Sequence, residues 1–513
     1  MKNYWKTILR DLGLFLHVPG IMALLSLPVC LLWGEYYALR PFLLAAIAPL
    51  LLGQLFFWRF RQAKSAPMRY ALITVALAWF IIPLFAAIPF LEIASQAIAE
   101  SVNTSPTIIA FKDPLNAIFE AFSGFTSTGL TMAIHSSELP RSLQWWRSFI
   151  EWIGGVGVIV LVVSLLEPTT DAAQLYSAEG RDKTIALTVR ATVRKIWWIY
   201  LLYSIASIFL LRAVGMPWWE ALNHGMTGIS TGGFSVRDDS IGAYPTAIQM
   251  AVILIMIAGG ISFPVHYRLL RKGQLWALWD NAEHRALWIL LAVGTVLLVW
   301  ANYAHESAWL WQNSFFQWAS ALGTCGFNTV KVGEWTASAK LLLGIAMVMG
   351  GAAGSTAGGL KLNRVVILYK AIVWRIQRLK LRPHQLMRYE LNREVLTETE
   401  ATRRIEAASV LAVLWLWAIV LGMFVLLQAI SRDYPLEDIF FEVASALGGV
   451  GLSTGITSPD LPWVAKLTLT LFMWMGRLEV VPVLLLISTV LPAVFQSPLR
   501  RRRRRKWKDK EMN

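Results

Sequence analysis

The stretch Glu120-Ala121-Phe122-Ser123-Gly124-Phe125-Thr126-Ser127-Thr128-Gly129-Leu130 is rich in small and hydroxyl-bearing residues and lies between two long apolar segments. Related stretches follow at residues 223–233 (NHGMTGISTGG), 317–327 (QWASALGTCGF) and 442–452 (EVASALGGVGL). Aligning the four on Gly129, Gly232, Gly326 and Gly451 places a polar residue nine positions upstream in each copy, namely Glu120, Asn223, Gln317 and Glu442. Four copies in one register predict an internally repeated structure.

The composition is that of a protein that crosses a membrane many times. Of its 513 residues, 56% are hydrophobic and 15% are charged, whereas a soluble domain carries about 25% charged residues. The net charge of +15 is attributed to cytoplasmic loops, where basic residues accumulate in membrane proteins, rather than to nucleic-acid binding. The cysteines Cys30 and Cys325 are too few for a disulfide framework or a zinc cluster.

Apolar length predicts ten membrane-crossing helices. Two come first, at residues 12–33 and 41–58. A long helix, a short helix ending in the motif and a second long helix then recur four times. The predicted triplets are residues 70–91, 114–125 and 147–166; 196–214, 217–228 and 248–270; 285–304, 312–322 and 340–374, the last with a break; and 407–430, 435–447 and 463–495.

The basic residues indicate the topology. Residues 181–195, 268–285 and 361–404 and the tail at 500–508 are rich in Arg and Lys, whereas the alternate connections carry few. This bias predicts that both termini lie in the cytoplasm and that all four motifs enter the membrane from the outside.

The motifs suit a pathway for a dehydrated cation, which needs oxygen ligands from backbone that has left helical geometry. Four such strands around one axis would form rings of carbonyl oxygens, with the negative ends of the short helices aimed at the ion. The alternative is that small residues only allow close helix packing. The candidate cation-binding residues are Thr126, Ser127, Thr128, Gly129, Ile229, Ser230, Thr231, Gly232, Gly323, Thr324, Cys325, Gly326, Gly448, Gly449, Val450 and Gly451.

The four aligned polar residues are interpreted as supports of the short helices, because each stands among apolar neighbours. The alternative is a charged vestibule at the surface. His224, which adjoins Asn223, is either a hydrogen-bonded structural residue or a group that tunes conduction with pH.

A second register of glycines follows about 25 residues after each motif glycine, at Gly154-Gly155, Gly259-Gly260, Gly350-Gly351 and Gly476-Arg477. An arginine in this apolar setting is costly to insert, so a function or a partner is expected. The hypothesis is that Arg477 places a positive charge just inside the rings of carbonyl oxygens, which act as an ion filter, and slows cation passage. The alternative is an arginine that extends to the membrane interface.

Repeat 3 departs from the pattern differently, with Gly350-Gly351-Ala352-Ala353-Gly354-Ser355-Thr356-Ala357-Gly358-Gly359-Leu360-Lys361. So many glycines predict an irregular loop that interrupts the span and acts as a movable gate, the alternative being a static packing loop. A phosphate-binding loop is excluded because Leu360 stands where lysine is required. The candidate gating residues are Gly350, Gly351, Gly354, Ser355, Thr356, Gly358, Gly359, Lys361 and Arg477.

The sequence offers no support for an enzyme, because the histidines lack metal-binding spacing and no nucleophile motif is present. No organic cofactor is expected. The basic tail is assigned to anionic lipid or an acidic partner rather than to nucleic acid. The chain is divided into two N-terminal transmembrane helices (1–68), pore repeats 1 (69–183) and 2 (184–284), pore repeat 3 with its gating loop (285–402), pore repeat 4 (403–498) and the tail (499–513).

These residues resemble the Trk/Ktr/HKT superfamily of potassium transporters, most closely the TrkH/TrkG membrane subunits of bacterial Trk systems. The resemblance covers residues 70–495. Its most specific pieces are Ser123-Gly124-Phe125-Thr126-Ser127-Thr128-Gly129, Trp152-Ile153-Gly154-Gly155-Val156-Gly157, Ile229-Ser230-Thr231-Gly232-Gly233-Phe234-Ser235, Gly354-Ser355-Thr356-Ala357-Gly358-Gly359-Leu360-Lys361 and Gly476-Arg477-Leu478-Glu479.

The resemblance implies an all-α polytopic membrane protein with four potassium-channel-like helix–pore-helix–helix repeats in a pseudo-fourfold arrangement, two additional N-terminal helices, and a homodimer. It implies potassium selectivity where the filter glycines are kept, gating by the loop at 350–361 and by Arg477, and a cytosolic nucleotide-binding regulatory subunit. The basic connection at 361–404 is a candidate docking surface for that subunit. This chain departs from the hydroxyl-rich pattern at Ile229, Gly323, Cys325, Gly448 and Val450, which puts the degree of sodium exclusion in doubt.

The sequence therefore predicts potassium uptake across the bacterial inner membrane. Within the same class, the alternatives are a sodium-permeable channel and a potassium/sodium or potassium/proton symporter. From another class, a membrane-embedded enzyme or scaffold would need a polar constellation at membrane depth, and Arg477 with scattered hydroxyls is all that the sequence offers there.

Overall fold

The protein is a bundle of helices in which four helix–pore-helix–helix repeats surround one axis and two N-terminal helices pack on the outside. The structure is a computed structural model that describes residues 4–64, 67–157, 189–303, 310–382, 385, 387–430 and 434–490. The predicted fold class is confirmed by this arrangement. In the described residues, six helices are long and apolar enough to cross a membrane, and eight spans result if each of two bent helix pairs is one span.

The helices follow the predicted order. The N-terminal pair is Trp5–Leu32 and Leu39–Phe60. The first long helices of the repeats are Met68–Ala99, Val189–Ala213, Ala282–Asn302 and Glu398–Ala429. The pore helices are Pro114–Phe125, Trp218–Ile229, Leu310–Leu322 and Leu436–Gly448. The second helices begin with Arg141–Val156, Thr246–Gly260, Ala337–Met349 and Trp463–Arg477, and the last three are followed by Phe263–Lys272, Leu362–Lys380 and Val481–Val490.

Shorter elements complete the fold. Two short helices are Pro106–Ala110 and Ala277–Asp280, and 3₁₀ turns lie at Tyr36–Ala38, Ser136–Glu138, Ser240–Ala243 and Val332–Glu334. After the second helix of repeat 3, the strands Tyr389–Leu391 and Glu394–Leu396 form an antiparallel hairpin, which the sequence analysis did not predict. The hairpin packs on Val366 and Trp374 through a small cluster of apolar side chains.

The two N-terminal helices dock onto repeat 1. They approach each other closely at Gly13 and Gly53, where a Cβ on either glycine would lie 2.7 Å from the other's carbonyl oxygen. Glu35, in the connection between them, accepts hydrogen bonds from the backbone N–H groups of Arg141 and Ser142 at 2.7 and 2.9 Å. A carboxylate at this place satisfies free N–H groups and complements the helix dipole. Glu35 thus fixes the start of the second helix of repeat 1.

Proline residues define where the pore helices begin. Pro114 starts the first one, and the side chain of Asp113 accepts a hydrogen bond from Leu115 N at 2.9 Å. Pro217 and Pro435 immediately precede the pore helices of repeats 2 and 4. Proline suits the first helical turn because its φ is already helical and its missing N–H would have no partner there.

Each second helix ends at the second glycine register, and this corrects the prediction that only repeat 3 is broken there. The two halves are bent by 105° in repeat 2 and by 113° in repeat 4. Pro264 lies in the first turn of the new helix, which begins at Phe263 after the break in repeat 2. In repeat 4, Glu479 and Val480 have φ values of +57° and +69°, which no helix accommodates.

Other predicted boundaries also shift. The first helix of repeat 3 begins at Ala282 rather than at residue 285, and that of repeat 4 begins at Glu398, inside the range assigned to repeat 3. In repeat 1 the second helix starts at Arg141 and ends at Val156. The rest of its predicted span, the basic residues Arg181 and Lys183, and the tail at 500–508 lie outside the described residues.

Candidate functional site

The four motifs meet in a closed ring. Four glycines, one from each motif, have φ values of +90°, +84°, +89° and +93°, a region that disfavours any residue with a Cβ; they are Gly129, Gly233, Gly326 and Gly451. A Cβ on each would lie 2.1 to 2.2 Å from a carbonyl oxygen of the next repeat, in the order Gly232, Cys325, Val450 and Thr128. The contacts run from repeat 1 to 2, 2 to 3, 3 to 4 and 4 back to 1. The four strands therefore enclose a common axis.

The ring corrects the alignment of repeat 2 by one residue. Gly233, not Gly232, has the positive φ and contacts repeat 3. Ile229 is the last residue of its pore helix, as Phe125 is in repeat 1. The strand of repeat 2 is therefore 230–233, and Ile229 leaves the predicted set while Gly233 joins it. The consecutive glycines allowed two alignments, and the backbone conformation selects the second.

In the corrected register, His224 takes the place that had been assigned to Asn223. Its Nε2 lies 2.9 Å from Ser235 Oγ, eleven residues later. Asn223 instead donates from Nδ2 to Trp219 O of its own helix at 2.7 Å. The structural alternative for His224 fits this geometry, because both of its ring nitrogens lie within hydrogen-bond distance of the protein.

The equivalent carboxylates in repeats 1 and 4 hold the segment that follows the ring. Glu120 accepts hydrogen bonds from Thr131 Oγ1 at 2.9 Å and Met132 N at 2.7 Å. Glu442 accepts them from Ser453 Oγ and from Thr454 N at 2.9 Å. All these carboxylate atoms are buried in the protein, so the alternative of a charged surface vestibule does not fit.

Repeat 3 lacks this support. Gln317 is buried, and neither atom of its side-chain amide has a hydrogen-bond partner within the described part of the chain. Its strand is held instead by Ser320, whose hydroxyl accepts from Gly326 N at 3.1 Å and donates to Phe327 O at 2.7 Å. The ring is thus supported by carboxylates in repeats 1 and 4, by an imidazole in repeat 2 and by a hydroxyl in repeat 3.

A buried arginine that the sequence analysis missed links repeats 1 and 2 behind the ring. Arg147 pairs with Glu120 at 2.7 Å and donates to Ser235 O at 2.9 Å. Its guanidinium also lies over the ring of Phe234, 4.1 Å from the centroid. A buried ion pair needs such additional hydrogen bonds to offset the loss of water. A charged residue inside an apolar span was the available signal.

The second glycine register serves close packing. A Cβ at Gly154 would lie 2.1 Å from Phe125 O, and one at Gly476 would lie 1.8 Å from Leu447 O. Phe125 and Leu447 occupy equivalent places four residues before Gly129 and Gly451. These glycines let the second helices press against the ends of the pore helices.

The loop at 350–361 lies against the same helix ends. Gly359 N donates to Gly448 O at 2.9 Å, and Gly358 N donates to Thr324 Oγ1 at 2.6 Å. The Thr356 hydroxyl lies 3.1 Å from Ile229 O and 2.9 Å from Gly259 O. The loop therefore contacts strands or helix ends of repeats 2, 3 and 4. It is irregular, as predicted.

Glycines make this fit possible. A Cβ at Gly350, whose φ is +71°, would lie 2.3 Å from Gly358 O, and one at Gly358 would lie 2.1 Å from Gly448 O. At the end of the loop, Lys361 has a φ of +79° and donates from Nζ to Ala357 O.

Arg477 joins the loop to repeat 1. Its Nη2 donates to Gly154 O and, at 3.0 Å, to Gly155 O, while Nη1 lies 3.4 Å from Thr356 O. The guanidinium carbon is 5.1 Å from the ring centroid of Trp79. The side chain is thus directed towards the other repeats, which does not fit the alternative of extension to the interface. Glu479 does not pair with Arg477 but with Arg364 beyond the loop.

Glu283 is a second contact of the loop that the sequence analysis missed. Its carboxylate accepts a hydrogen bond from Ala353 N at 2.5 Å. Glu283 lies in the first turn of the first helix of repeat 3, next to Ala282, whose N–H donates to Asn392 Oδ1 of the hairpin at 2.8 Å. One helix end therefore connects the loop to the hairpin.

Side chains in the described residues offer no other metal site, since no group of three or more His, Cys, Asp and Glu residues is arranged to hold an ion there. Carbonyl oxygens of the ring are the groups that could receive a dehydrated cation.

Comparison with known proteins agrees with this architecture. A profile of the TrkH family, described as cation transport proteins, matches residues 61–497. The chain is 30% identical over 490 residues to the uncharacterized cation transporter MJ1485 of Methanocaldococcus jannaschii, covering 94% of this chain and 96% of that protein. It is 29% identical over 506 residues to the Trk system potassium uptake protein TrkH of Escherichia coli K12, covering 94% and 99%.

A solved structure shows the same fold. The crystal structure of the potassium transporter TrkH from Vibrio parahaemolyticus aligns with a TM-score of 0.79 and 25% identity, covering 96% of this chain and 100% of that one. The family profile spans most of the sequence, including all four repeats. This chain is a multi-pass membrane protein that belongs to the TrkH family of cation transport proteins.

Proposed function

We propose that the chain carries potassium into the cell across the bacterial inner membrane, along the axis enclosed by the four motif strands. The observation that carries the proposal is the closed order of contacts in which Gly129, Gly233, Gly326 and Gly451 each abut a carbonyl of the next repeat. Rings of carbonyl oxygens replace the hydration shell of an entering potassium ion. The choice of ion is supported by the similarity to the potassium uptake protein TrkH of E. coli and the potassium transporter TrkH of V. parahaemolyticus.

The ion is substrate here, and backbone atoms of residues 126–129, 230–233, 323–326 and 448–451 are its proposed ligands. The four pore helices direct their C-terminal, partially negative ends towards the axis and stabilise a cation there. Hydroxyl groups in the strands are engaged with the scaffold, as when Thr126 Oγ1 donates to Phe122 O at 2.7 Å. Specificity therefore depends on how firmly the strands are held.

The loop at 350–361 and Arg477 form the proposed gate. They contact all four repeats at the inner ends of the pore helices: the loop reaches repeats 2, 3 and 4, and Arg477 reaches repeat 1. A guanidinium next to the path repels a cation by several kcal/mol at short range in a low dielectric, on the order given by Coulomb's law. We expect Arg477 and the loop to move together during transport, because Nη1 of Arg477 lies 3.4 Å from Thr356 O.

The remaining assignments follow the charge pattern and the family. Both termini are placed in the cytoplasm because basic residues cluster on that side. We further propose a homodimer that works with a cytosolic nucleotide-binding regulatory subunit, for which the basic segment 361–404 is the docking surface. Exposed basic side chains in that segment, including Arg375 and Lys380, present positive charge to an acidic partner.

Rubidium and sodium influx into liposomes containing the purified chain, with and without a regulatory subunit, tests the function. The expected result is rubidium uptake that exceeds sodium uptake, and its loss in Gly129→Ser. Equal uptake of the two ions would contradict potassium selectivity. No uptake under either condition would contradict transport.

A further inference from the structure

We propose that Glu151 is a positioning residue for the ring, fixing the strand of repeat 2 from a helix of repeat 1. The inference rests on the proposed function, because it concerns how ion specificity is maintained. Glu151 lies on the second helix of repeat 1 and is completely buried. Burying a carboxylate at that depth costs free energy, which indicates that Glu151 has a role.

Glu151 is bonded to two adjacent quarters of the ring. Its side chain accepts a hydrogen bond from Phe234 N, with Oε2 at 3.0 Å and Oε1 at 3.3 Å. Its backbone oxygen accepts one from Ser127 Oγ at 3.1 Å. Phe234 directly follows Gly233, and Ser127 lies within the strand of repeat 1. One residue thus sets the spacing between these two strands.

The same carboxylate explains why residue 232 is glycine. Gly232 does not have a positive φ, so its conformation alone would admit other residues. A Cβ there would lie 2.5 Å from both Cδ and Oε2 of Glu151. Because the carboxylate occupies the space of a side chain, the Gly232 carbonyl is held by direct packing as well as through Phe234.

No packing requirement calls for an acid at this position. The equivalent residues, three before each second-register glycine, are buried methionines in the other repeats, namely Met256, Met347 and Met473. Methionine fills a similar volume but offers no strong acceptor. Repeat 1 is the one in which this position meets a backbone N–H of the neighbouring strand. Glu stands here in place of Met where the backbone N–H of Phe234 needs a hydrogen-bond acceptor.

Removing the acceptor leaves Phe234 N as a buried donor, which native structures avoid. The strand can recover a partner only by moving, and movement changes the carbonyl spacing that discriminates potassium from sodium. Arg147, one turn earlier, remains bonded to Glu120 and Ser235 O and keeps the region assembled. The loss is thus expected in ion discrimination rather than in folding.

The experiment compares Glu151→Gln and Glu151→Met in the full chain, with Met256→Leu as a control at the equivalent position of repeat 2. Rubidium and sodium influx into liposomes and the thermal midpoint in each salt are measured. We expect Glu151→Gln, whose amide oxygen still accepts from Phe234 N, and the control to keep the wild-type ratio. Glu151→Met is expected to lower the rubidium-to-sodium ratio by about 5-fold or more, the factor for the lower end of the cost of one unsatisfied buried group.

An unchanged ratio in Glu151→Met overturns the proposal. An equal loss in Glu151→Gln and Glu151→Met also overturns it, because the charge and not the hydrogen bond would then be decisive. Failure of the proposed function gives a different result, since the wild-type chain itself would then show no rubidium preference. In that case the thermal midpoint still tests the positioning role. If potassium raises the midpoint of the wild type, of Glu151→Gln and of the control but not that of Glu151→Met, the role is supported. If potassium also raises the midpoint of Glu151→Met, the role is overturned.

A double-mutant cycle provides an independent check. Gly232→Ala should lower the ratio in the wild type, where the new methyl group meets the carboxylate, but should cost much less in a Glu151→Ala background, where that space is open. Additive effects of the two substitutions would show that the residues do not act on each other, contrary to the proposal.

Discussion

Arg477 of repeat 4 donates a hydrogen bond of 3.0 Å to the carbonyl oxygen of Gly155 in repeat 1, the neighbouring repeat in the ring. Replacing Arg477 with an uncharged residue removes a positive charge and the link between repeat 1 and the loop. Arg477→Ala is therefore expected to raise rubidium influx by about 10-fold or more, a factor that about 1.4 kcal/mol of the lost electrostatic barrier already provides. Arg477→Lys, which keeps the charge, serves as control. Unchanged flux and unchanged gating in Arg477→Ala would remove Arg477 from the gate.

Thr356 holds the loop through its hydroxyl, which lies within hydrogen-bond distance of Ile229 O and Gly259 O. Thr356→Val keeps the shape and loses the hydroxyl, whose single proton bonds one of these carbonyls at a time. That bond is worth about 1 kcal/mol, so the closed arrangement should weaken and influx without a regulator should rise about 5-fold. Thr356→Ser, which retains the hydroxyl, should stay near wild type. The idea fails if valine leaves the unregulated flux as low as serine does.

Glu283 anchors the other side of the loop through Ala353 N. Glu283→Gln exchanges a charge-assisted hydrogen bond for a neutral one, roughly halving its strength, and a few-fold rise of unregulated rubidium influx is expected. Asn392→Ala, which removes the acceptor for Ala282 N on the hairpin, should act in the same direction. If either variant instead abolishes influx in the presence of a regulator without changing protein yield, Glu283 is needed for opening and not for closure.

The corrected register of repeat 2 makes a prediction at two neighbouring residues. His224→Ala removes the contact with Ser235 Oγ behind the strand and should lower the rubidium-to-sodium ratio about 3- to 10-fold, the cost of one buried hydrogen bond. Asn223→Ala removes only a bond within its own helix and should leave the ratio near wild type. The reverse order of effects would restore the alignment on Gly232.

Gln317 carries a buried amide for which the described residues provide no partner. Replacing it with the apolar residue of similar length, Gln317→Met, should keep or raise the thermal midpoint, because an unsatisfied buried polar group costs about 1 to 3 kcal/mol. Glu442→Met, which removes the acceptor of three hydrogen bonds, is the contrasting variant and should lower the midpoint by several degrees. A large destabilisation by Gln317→Met would indicate a partner such as bound water at this amide.

The fold could be predicted from the sequence because its motif occurs four times. The four motifs, the helix order and the exceptional residues Arg477 and 350–361 all follow from comparing the copies with one another. The pore helix of repeat 1 was predicted with its observed bounds, Pro114–Phe125, because a proline and the glycine-rich turn mark its two ends.

The register of repeat 2 was not decided by the same comparison, because Gly232 and Gly233 satisfy the pattern equally well. A usable signal existed two residues further on, where Thr131, Ser235 and Ser453 place a hydroxyl in the same position only if Gly233 is aligned. The breaks in the second helices had a weaker signal, Gly259-Gly260 followed by Pro264.

Contacts between distant residues could not be predicted. Glu283 and Ala353 are separated by 70 residues, and Arg477 and Gly154 by 323. A single sequence shows which residues are unusual in an apolar span, as with Arg147 and Glu151, but the partner depends on how the four repeats are arranged around the axis.

The contact between Gly451 and Thr128 closes the ring, and it joins the fourth repeat to the first. During synthesis, a chain that extends only as far as repeat 3 contains three of the four strands and lacks the contact between Gly451 and Thr128. Because all four quarters are covalently linked, the final step is intramolecular and does not depend on the concentration of other chains. The proposed ion path is therefore complete only once repeat 4 has been made, and one chain supplies every quarter of it.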